Sequence, residues 1–199
     1  NKINNILMEK KLSEYLNKSP HEKDFHGSYC KIFLTTIDGE KMIIKQSRHK
    51  EYYENEKNFL IKMQHLEECF PQLKYYDNNS KTLIMKYVGE NIANIFKKNP
   101  EFNLADYEEK IYECNQKIKR SGFYHNDIKP QNICIDDKGI LRFIDFEKCT
   151  RILGEFKHNR GPFAYREWEY YRPDKKHKEN IPILDKKFSM RYWFPKFYK

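Results

Sequence analysis

A polar run near the middle of the chain, His125-Asn126-Asp127-Ile128-Lys129-Pro130-Gln131-Asn132, holds an imidazole, a carboxylate, an ammonium group and an amide within eight residues. Side chains of these types can move protons and hold charged ligands. A loop of this composition can also be solvated surface, because Asp and Asn are ordinary turn residues. A working site needs further residues elsewhere in the chain, and their presence decides between the two interpretations.

Two charged residues in the first half of the chain stand inside predicted apolar elements. Lys45 ends the strand sequence Met42-Ile43-Ile44, and Glu56 lies on the apolar face of a helix predicted over 51–68. A carboxylate that is desolvated without a partner costs several kcal/mol. We therefore expect Glu56 either to pair with a lysine on a neighbouring strand or to reach water at the edge of the apolar face.

The second half of the chain adds another carboxylate, which follows the polar run. Asp145 follows a predicted strand over 141–144 and stands eighteen residues after Asp127. The order Lys45, Glu56, Asp127 and Asp145 resembles the protein-kinase-like family.

Four stretches carry this resemblance, which covers about residues 25–190. Met42-Ile43-Ile44-Lys45 is similar to the V-A-I-K strand of the family, and the run from His125 to Asn132 is similar to H-R-D-L-K-x-x-N. Ile144-Asp145-Phe146-Glu147 resembles the D-F-G region. The stretch 83–89 resembles a hinge strand that holds adenine by backbone hydrogen bonds.

The resemblance implies that ATP and Mg²⁺ are the cofactors. Asp145 and Asn132 are then expected to hold magnesium, which prefers hard oxygen ligands. Lys45 is expected to neutralise the α- and β-phosphates and to be held by Glu56. The resemblance also assigns nucleotide binding to a further group of residues, namely Gly27, Met85, Lys86, Tyr87 and Val88, although Met85 is equally well explained as a core residue.

The same resemblance gives the polar run its roles. Asp127 is expected to orient the attacking hydroxyl and accept its proton, and Lys129 to steady the γ-phosphate. Both roles suit phosphoryl transfer, in which catalysis consists mostly of positioning and electrostatic stabilisation. His125 is expected to be architectural, packing beneath Asp145, rather than an acid or a base.

Four features depart from the family pattern. Only Gly27 remains of the glycine-rich loop, which favours a weaker or rearranged grip on phosphate. Asn126 stands where the family has an Arg that commonly pairs with a phosphorylated activation segment, so such a switch is not expected. Glu147 replaces the Gly of D-F-G and adds a carboxylate near the expected magnesium. Only 54 residues follow Asp145, so the large helical remainder of an ordinary kinase is expected to be missing.

These features leave three classes of function open. The first is a minimal, atypical Ser/Thr protein kinase, of the compact kind found among bacterial effectors and large viruses, and Lys129 after Asp127 favours it. The second is a small-molecule kinase of the choline or aminoglycoside type, which needs a large C-terminal region for its substrate. The third is a pseudokinase that binds a partner. Retention of Asp127, Asn132 and Asp145 together with Lys45 argues against it.

The expected fold is α+β and two-lobed. A small antiparallel β-rich N-lobe is predicted over residues 1–86, and a truncated, mainly helical C-lobe over 87–199. The apolar patterns predict strands at 29–37, 40–46, 73–77, 81–86, 133–135 and 141–144. They predict helices at 3–16, 51–68, after Gly89 and at 103–120. Asp38-Gly39 predicts a hairpin turn, because Gly tolerates positive φ.

Bulk composition limits the partners. No apolar run approaches the roughly 18–20 residues that span a bilayer. Five singly placed cysteines favour reduced thiols in the cytoplasm, or in the host cytoplasm for an effector or viral protein. The net charge of +9 suits anionic ligands. The sequence contains no aromatic-basic motif of the kind that binds nucleic acid, so nucleic acid is not an expected partner. We expect a monomer whose partner is a protein substrate. If the protein is an effector, that substrate is expected to be a host protein.

Overall fold

The computed structural model describes residues 23–26, 29–99 and 101–151. The predicted helix at 3–16 and the single glycine of the expected phosphate loop, Gly27, lie outside these ranges, as does the chain after 151. The described residues form two compact units. One contains those up to Glu67 together with Pro71–Tyr87, and the other contains Glu68–Phe70 and the chain from Val88 onward.

The first unit is built on one antiparallel sheet. Its strands run in the order β1-β2-β3-β5-β4. Their bounds are β1 Lys23–His26, β2 Cys30–Ile37, β3 Glu40–Ser47, β4 Leu73–Asp77 and β5 Thr82–Lys86. The predicted strands at 29–37, 40–46, 73–77 and 81–86 are confirmed to within one residue at each end, whereas β1 was not predicted.

The turn between β2 and β3 is the predicted hairpin. Asp38 and Gly39 both have positive φ, at 51° and 81°. Two successive residues in this region form a turn whose twist matches that of the flanking strands. The register that follows pairs Ile37 with Glu40 and, further along, Ile32 with Lys45. The turn therefore sets the position of Lys45 across from β2.

Side chains of β3 alternate between two faces of the sheet, as a strand requires. Met42 and Ile44 pack with Ile84 of β5 in a small buried cluster on one face. Lys45 belongs to the other set of alternating residues. The single long helix of the described first unit, α1 (Lys50–Lys62), contacts β3, β4 and β5.

Helix α1 confirms the predicted helix but corrects two details. Helical spacing predicts Tyr52 on the apolar face, but Tyr53 is buried instead, with Glu56 and Leu60 following at steps of three and four. The helix also ends at Lys62 instead of 68. The chain from Glu68 to Phe70 belongs to the second unit, so the helix stops before it. Packing in the second unit, which the helical pattern does not encode, overrides the local signal.

The second unit combines small sheets with helices. Three strands pair in the order β6-β8-β9, and two more pair as β10-β7. Their bounds are β6 Glu90–Asn91, β7 Phe123–Tyr124, β8 Ile133–Ile135, β9 Leu141–Phe143 and β10 Thr150–Arg151. The helices are α2 (Ile92–Lys98) and α3 (Glu108–Arg120), with single 3₁₀ turns at Leu104–Tyr107 and Pro130–Asn132.

Helix α3 leads the chain to the polar run. Its buried face carries Ile111, Cys114 and Ile118, at the predicted spacing. The helix ends at Arg120, and Gly122 follows it with φ of 82° and an amide that donates to the Lys119 carbonyl. Positive φ favours glycine and ends the helix. The chain then enters β7 and the polar run at 125–132.

The α+β prediction is therefore confirmed, with a β-rich antiparallel first unit. All five cysteines lie in the described part of the chain, where they are buried and form no disulfide. None of the helices within the described ranges has the length and apolarity that crossing a membrane requires.

A glycine just before β6, Gly89, lies close against the backbone of β8. Gly89 has φ of 102°, and a Cβ added there would lie 2.1 Å from the Ile135 carbonyl oxygen. We expect Gly89→Ala to destabilise the protein by clearly more than the roughly 1–2 kcal/mol of left-handed strain alone. Urea unfolding measures this free energy.

Gly122→Ala is the matched control for this substitution. Gly122 has a similar φ of 82°, but a Cβ there would meet nothing within 4 Å. Its cost is expected to stay near the strain value of about 1–2 kcal/mol. Equal losses for the two variants would contradict the close packing of Gly89 against β8.

Candidate functional site

The first unit contains a buried ion pair. The Lys45 Nζ lies 2.7 Å from Glu56 Oε2, and the two side chains are 4% and 1% exposed. Of the two interpretations of Glu56, the ion pair with a lysine on a neighbouring strand is confirmed. Glu51, the acid of the first helical turn, is exposed.

Strand and helix periodicity together produce this pair. Lys45 emerges from the face of β3 opposite the Met42–Ile44 cluster. Glu56 lies on the buried face of α1 between Tyr53 and Leu60. Neither charge can be removed alone at low cost, because the partner would stay buried and uncompensated. The pair therefore fixes the direction of the lysine side chain.

The second unit gathers side chains of the polar run around one carboxylate oxygen. Asp127 Oδ2 lies 3.0 Å from Lys129 Nζ and 3.1 Å from Lys148 Nζ. The Asn132 amide nitrogen lies 3.3 Å from the same oxygen and donates to the Asp127 carbonyl oxygen at 2.9 Å. Within the described ranges no donor contacts Oδ1 of this residue. The carboxylate is therefore held from one side.

The orientation of the Asn132 amide follows from these bonds. Its nitrogen has two oxygen acceptors, the Asp127 carbonyl and Oδ2, so the nitrogen and not the oxygen must face Asp127. The Asn132 side-chain oxygen is left pointing away from both. A neutral oxygen presented in this way suits a hard cation such as Mg²⁺.

His125 supports the site from beneath. Its Nε2 donates to the Ile144 carbonyl oxygen at 3.0 Å, and its ring contacts those of Phe143 and Phe146. Burial lowers the pKa of the imidazole. The negative charges of Asp145 and Asp127 act in the opposite direction but do not cancel this effect. A neutral ring with its proton on Nε2 fits this arrangement. The contacts of the His125 ring are thus with a backbone carbonyl and with aromatic rings.

Asp145 is positioned by the residues on either side of it. The Ile144 amide donates to the Asn132 carbonyl oxygen at 2.9 Å, while the Ile144 carbonyl accepts from His125. Phe146 is fully buried and packs edge-on against Phe70. Asp145 itself has φ of 67°, which is uncommon for a residue other than glycine. Such strain persists where the surroundings dictate the backbone.

Two of the residues that depart from the family pattern take part in the same region. Asn126 has φ of 64°, and its amide nitrogen donates to the Lys148 carbonyl at 3.0 Å and to Thr150 Oγ1 at 2.8 Å. Glu147 is buried, with 6% of its surface exposed. Asn126 therefore ties the polar run to the segment after Asp145.

Lys148 is the residue that sequence reasoning missed. No hydrophobic periodicity distinguishes Lys148 from the many other lysines of the chain. Its contact with Asp127 depends on a turn in which the Cys149 amide donates to the Phe146 carbonyl. The available signal was its place directly after Glu147, three residues beyond Asp145.

The predicted adenine-binding stretch forms the end of β5 and the chain after it. Met85 is buried, and in the sheet it lies opposite Ile43 on one neighbouring strand and Leu73 on the other. This position agrees with its interpretation as a core residue. The Lys86 and Tyr87 amides already donate to the carbonyl oxygens of Gln72 and Lys41. Adenine cannot use these two amides without breaking the bonds.

The Val88 amide differs from those of Lys86 and Tyr87. It donates to no other residue in the described ranges, whereas the amides of Lys86 and Tyr87 are both engaged. Gly27, the remaining nucleotide-binding candidate, lies outside the described ranges.

The candidate residues thus form two groups. Lys45 and Glu56 are together in the first unit. The second unit brings together Asp127, Lys129 and Asn132 and adds Lys148. In the described part of the chain, no three or more His, Cys, Asp or Glu side chains cluster as a metal site would require. Asp145 and Asn132, the expected magnesium ligands, both lie in the second unit. Magnesium is commonly held by one or two such oxygen ligands and completed by phosphate and water.

Comparison with curated proteins finds partial similarity to serine/threonine protein kinases. The citron rho-interacting kinase of Rattus norvegicus is 27% identical over 120 residues, which are 57% of this chain and 6% of that protein. A probable serine/threonine-protein kinase of Clostridium acetobutylicum is 35% identical over 74 residues, or 35% of this chain and 11% of that protein. Human myotonin-protein kinase is 32% identical over 86 residues, or 41% of this chain and 14% of that protein.

No protein-family model matches the chain. The matched segments span no more than 14% of the length of these relatives. The similarities indicate the kinase-like superfamily at the level of partial, low-identity homology, and they support a kinase-like phosphotransferase in general.

The buried ion pair predicts a large loss of stability when one partner is removed. Glu56→Gln leaves the Lys45 ammonium buried without a carboxylate, so unfolding free energy should fall by about 3–5 kcal/mol. The double variant Lys45→Met/Glu56→Gln should recover part of this loss, because no charge is left buried. Urea unfolding of the three proteins measures both effects.

Glu90→Gln provides the control for this pair. Glu90 binds Lys98 in an ion pair whose lysine side chain is 70% exposed. Removing such a pair should cost less than about 1 kcal/mol. Additive losses in the Lys45/Glu56 double variant would contradict the direct coupling of the two residues.

Burial of His125 predicts a specific dependence of stability on pH. Its pKa in the folded protein is lowered from the ordinary value of about 6.5. The stability that this group contributes is therefore present above about pH 6.5 and is lost as the pH falls through the lower folded pKa. Wild type should lose more unfolding free energy between pH 7.5 and 5.5 than His125→Asn does.

His65→Asn is the matched control, because His65 is exposed. This variant should keep the pH dependence of wild type. If His125→Asn follows wild type in parallel over the same range, the neutral, buried imidazole is wrong.

Proposed function

We propose that the protein is an ATP- and Mg²⁺-dependent phosphotransferase that moves the γ-phosphoryl group to a Ser or Thr hydroxyl of a protein. The observation that carries this proposal is the Asp127 group. Its carboxylate is fixed on one side by Lys129 and Asn132, and the Asn132 oxygen is turned away for a metal. Partial similarity to serine/threonine protein kinases supports the same reaction class.

Asp127 is proposed to receive the acceptor hydroxyl. Oδ2 is occupied by donors, so Oδ1 is the oxygen that accepts the hydroxyl hydrogen. As the hydroxyl oxygen bonds to the γ-phosphorus, the bond from that phosphorus to the β–γ bridging oxygen breaks and ADP leaves. The hydroxyl proton passes to Asp127. Such a base contributes mainly by orienting the nucleophile, since positioning dominates this chemistry.

Charge on the phosphates is proposed to be met by lysines and magnesium. Lys45, which Glu56 holds in one direction, binds the α- and β-phosphates. Lys129, with its side chain 22% exposed, is free enough of packing to reach the γ-phosphate. Magnesium held by Asp145 and Asn132 would neutralise the charge that builds on the phosphate oxygens.

Adenine recognition is proposed at the stretch from Met85 to Val88. Because the Lys86 and Tyr87 amides are engaged, the Val88 amide is the proposed donor to the base. Met85 contributes a buried apolar side chain. Gly27 remains a proposed phosphate contact on the strength of the resemblance alone.

Two finer features are part of the proposal. Asn126 holds the segment after Asp145 by two hydrogen bonds, which supports activity without phosphorylation of that segment. Five buried thiols that form no disulfide support a reducing compartment such as the cytoplasm. Protein rather than small-molecule acceptors are supported by Lys129, which the resemblance associates with protein kinases.

Removal of the proposed base should abolish transfer while sparing nucleotide binding. Asp127→Asn keeps the shape of the side chain, and transfer of radiolabelled phosphate to a generic protein substrate should fall by about 10²–10⁴. Stabilisation of the fold by Mg-ATP should stay close to that of wild type. Asp145→Asn should instead lose the magnesium-dependent part of this stabilisation.

Asp137→Asn is the matched control, because Asp137 is an exposed acid in a turn. It should retain full transfer. Persistent transfer in Asp127→Asn would overturn the assignment of the base. Transfer only to choline-like or aminoglycoside acceptors would replace the protein substrate with a small molecule, and nucleotide binding without any transfer would make the chain a pseudokinase.

A further inference from the structure

Two ammonium groups contact the same oxygen of Asp127. The Lys129 Nζ lies 3.0 Å from Oδ2 and the Lys148 Nζ lies 3.1 Å from it. Lys129 belongs to the polar run, whereas Lys148 comes from the segment after Asp145. Like charges this close repel, so the arrangement needs an excess of negative charge around it.

Acidic residues near Lys148 supply that charge. Burial alone would lower the pKa of its ammonium, but the hydrogen bond to Asp127 and the negative charges of Asp127, Asp145 and Glu147 outweigh burial and raise the pKa. Lys148 is therefore firmly protonated. The buried Glu147, which replaces the family's glycine, contributes to holding a second cation at the site.

The backbone of Lys148 is fixed independently of its side chain. Its carbonyl accepts from the Asn126 amide nitrogen, and so does the hydroxyl of Thr150. Thr150 and Arg151 then pair as β10 with Tyr124 and Phe123 of β7. These contacts join the segment to both ends of the stretch that leads into Asp127.

We propose that Lys148 is a positioning residue for Asp127, held in place by Asn126. Its ammonium keeps Oδ2 occupied, so that Oδ1 stays directed at the acceptor hydroxyl. The proposal rests on the proposed phosphotransferase function.

The two lysines contact the same oxygen of Asp127 but have different proposed roles, γ-phosphate binding for Lys129 and positioning of Asp127 for Lys148. The Lys129 ammonium has three donors to divide between Oδ2 of Asp127 and the proposed γ-phosphate. When Lys129 turns to the phosphate, Lys148 and Asn132 remain on Oδ2 and keep the carboxylate oriented. Loss of Lys148 should therefore slow the chemical step and leave nucleotide affinity almost unchanged.

Amine labelling tests the contact without requiring activity. The purified protein is treated with a limiting amine-acetylating reagent, and mass spectrometry compares Lys148 with Lys138, an exposed lysine of a turn. Only the neutral amine reacts, so Lys148 should label more slowly than Lys138. In Asp127→Asn and in Asn126→Ala, labelling of Lys148 should rise by about threefold or more, since each unit of pKa is a factor of ten. An unchanged rate in both variants overturns the proposal.

Kinetics test the role. Lys148→Met should lower kcat about tenfold or more, as small displacements of a reacting group do, with KM for ATP and the unfolding midpoint unchanged. Lys148→Arg should restore most of kcat, because it keeps the cation. Lys138→Met is the control and should behave as wild type.

The outcomes separate this proposal from the function on which it rests. Wild-type kcat in Lys148→Met overturns the role of Lys148 alone. The role of Lys148 is also overturned if Lys148→Met lowers both kcat and the unfolding midpoint and Lys148→Arg does not restore kcat. That result would indicate a structural role. Absence of transfer by wild type overturns the proposed function and with it the role in catalysis, whereas unchanged labelling overturns the role of Lys148 and leaves the proposed function standing.

Discussion

One carboxylate oxygen, Oδ2 of Asp127, receives three side-chain donors, and much of the second unit serves to bring them there. Lys129 and Asn132 come from the turn that follows Asp127 in sequence, while Lys148 comes from a segment twenty-one positions away. Charge-assisted hydrogen bonds of this kind restrict the carboxylate more than neutral ones would. The result is a carboxylate with one oxygen engaged and, among the described residues, no donor on the other, which is the arrangement that the proposed acceptor hydroxyl requires.

The supporting layer is mostly backbone and aromatic packing. Ile144 is bonded on both sides, by its amide to Asn132 and by its carbonyl to His125, and Phe146 is buried next to it. Asp145 is held between them in a left-handed conformation. In the first unit, too, a charged side chain is held in place by a neighbouring residue. Lys45 is directed by a buried carboxylate, whose removal would leave an uncompensated charge.

Sequence patterns predicted most of the elements and the Lys45–Glu56 pair, because period-two and period-3.6 spacing survive in a single chain. They failed where packing decides. Tyr53 rather than Tyr52 is buried, and α1 ends at Lys62, because the residues from Glu68 to Phe70 pack in the other unit. Lys148 was missed for a related reason, since its reach to Asp127 depends on the backbone at Asp145 and on the Asn126 hydrogen bonds, none of which has a periodic signature.

In the proposed reaction, Asp145 and the Asn132 oxygen hold magnesium while Asp127 faces the acceptor hydroxyl. A crystal structure of the protein with Mg²⁺ and a non-hydrolysable ATP analogue shows whether they do so. We expect a cation with Asp145 and Asn132 oxygens at about 2.0–2.1 Å, the distance typical of magnesium, and Asp127 Oδ1 directed toward the γ-phosphate. A nucleotide bound without a metal at these two residues, or Asp127 turned so that Oδ1 is covered, would contradict it.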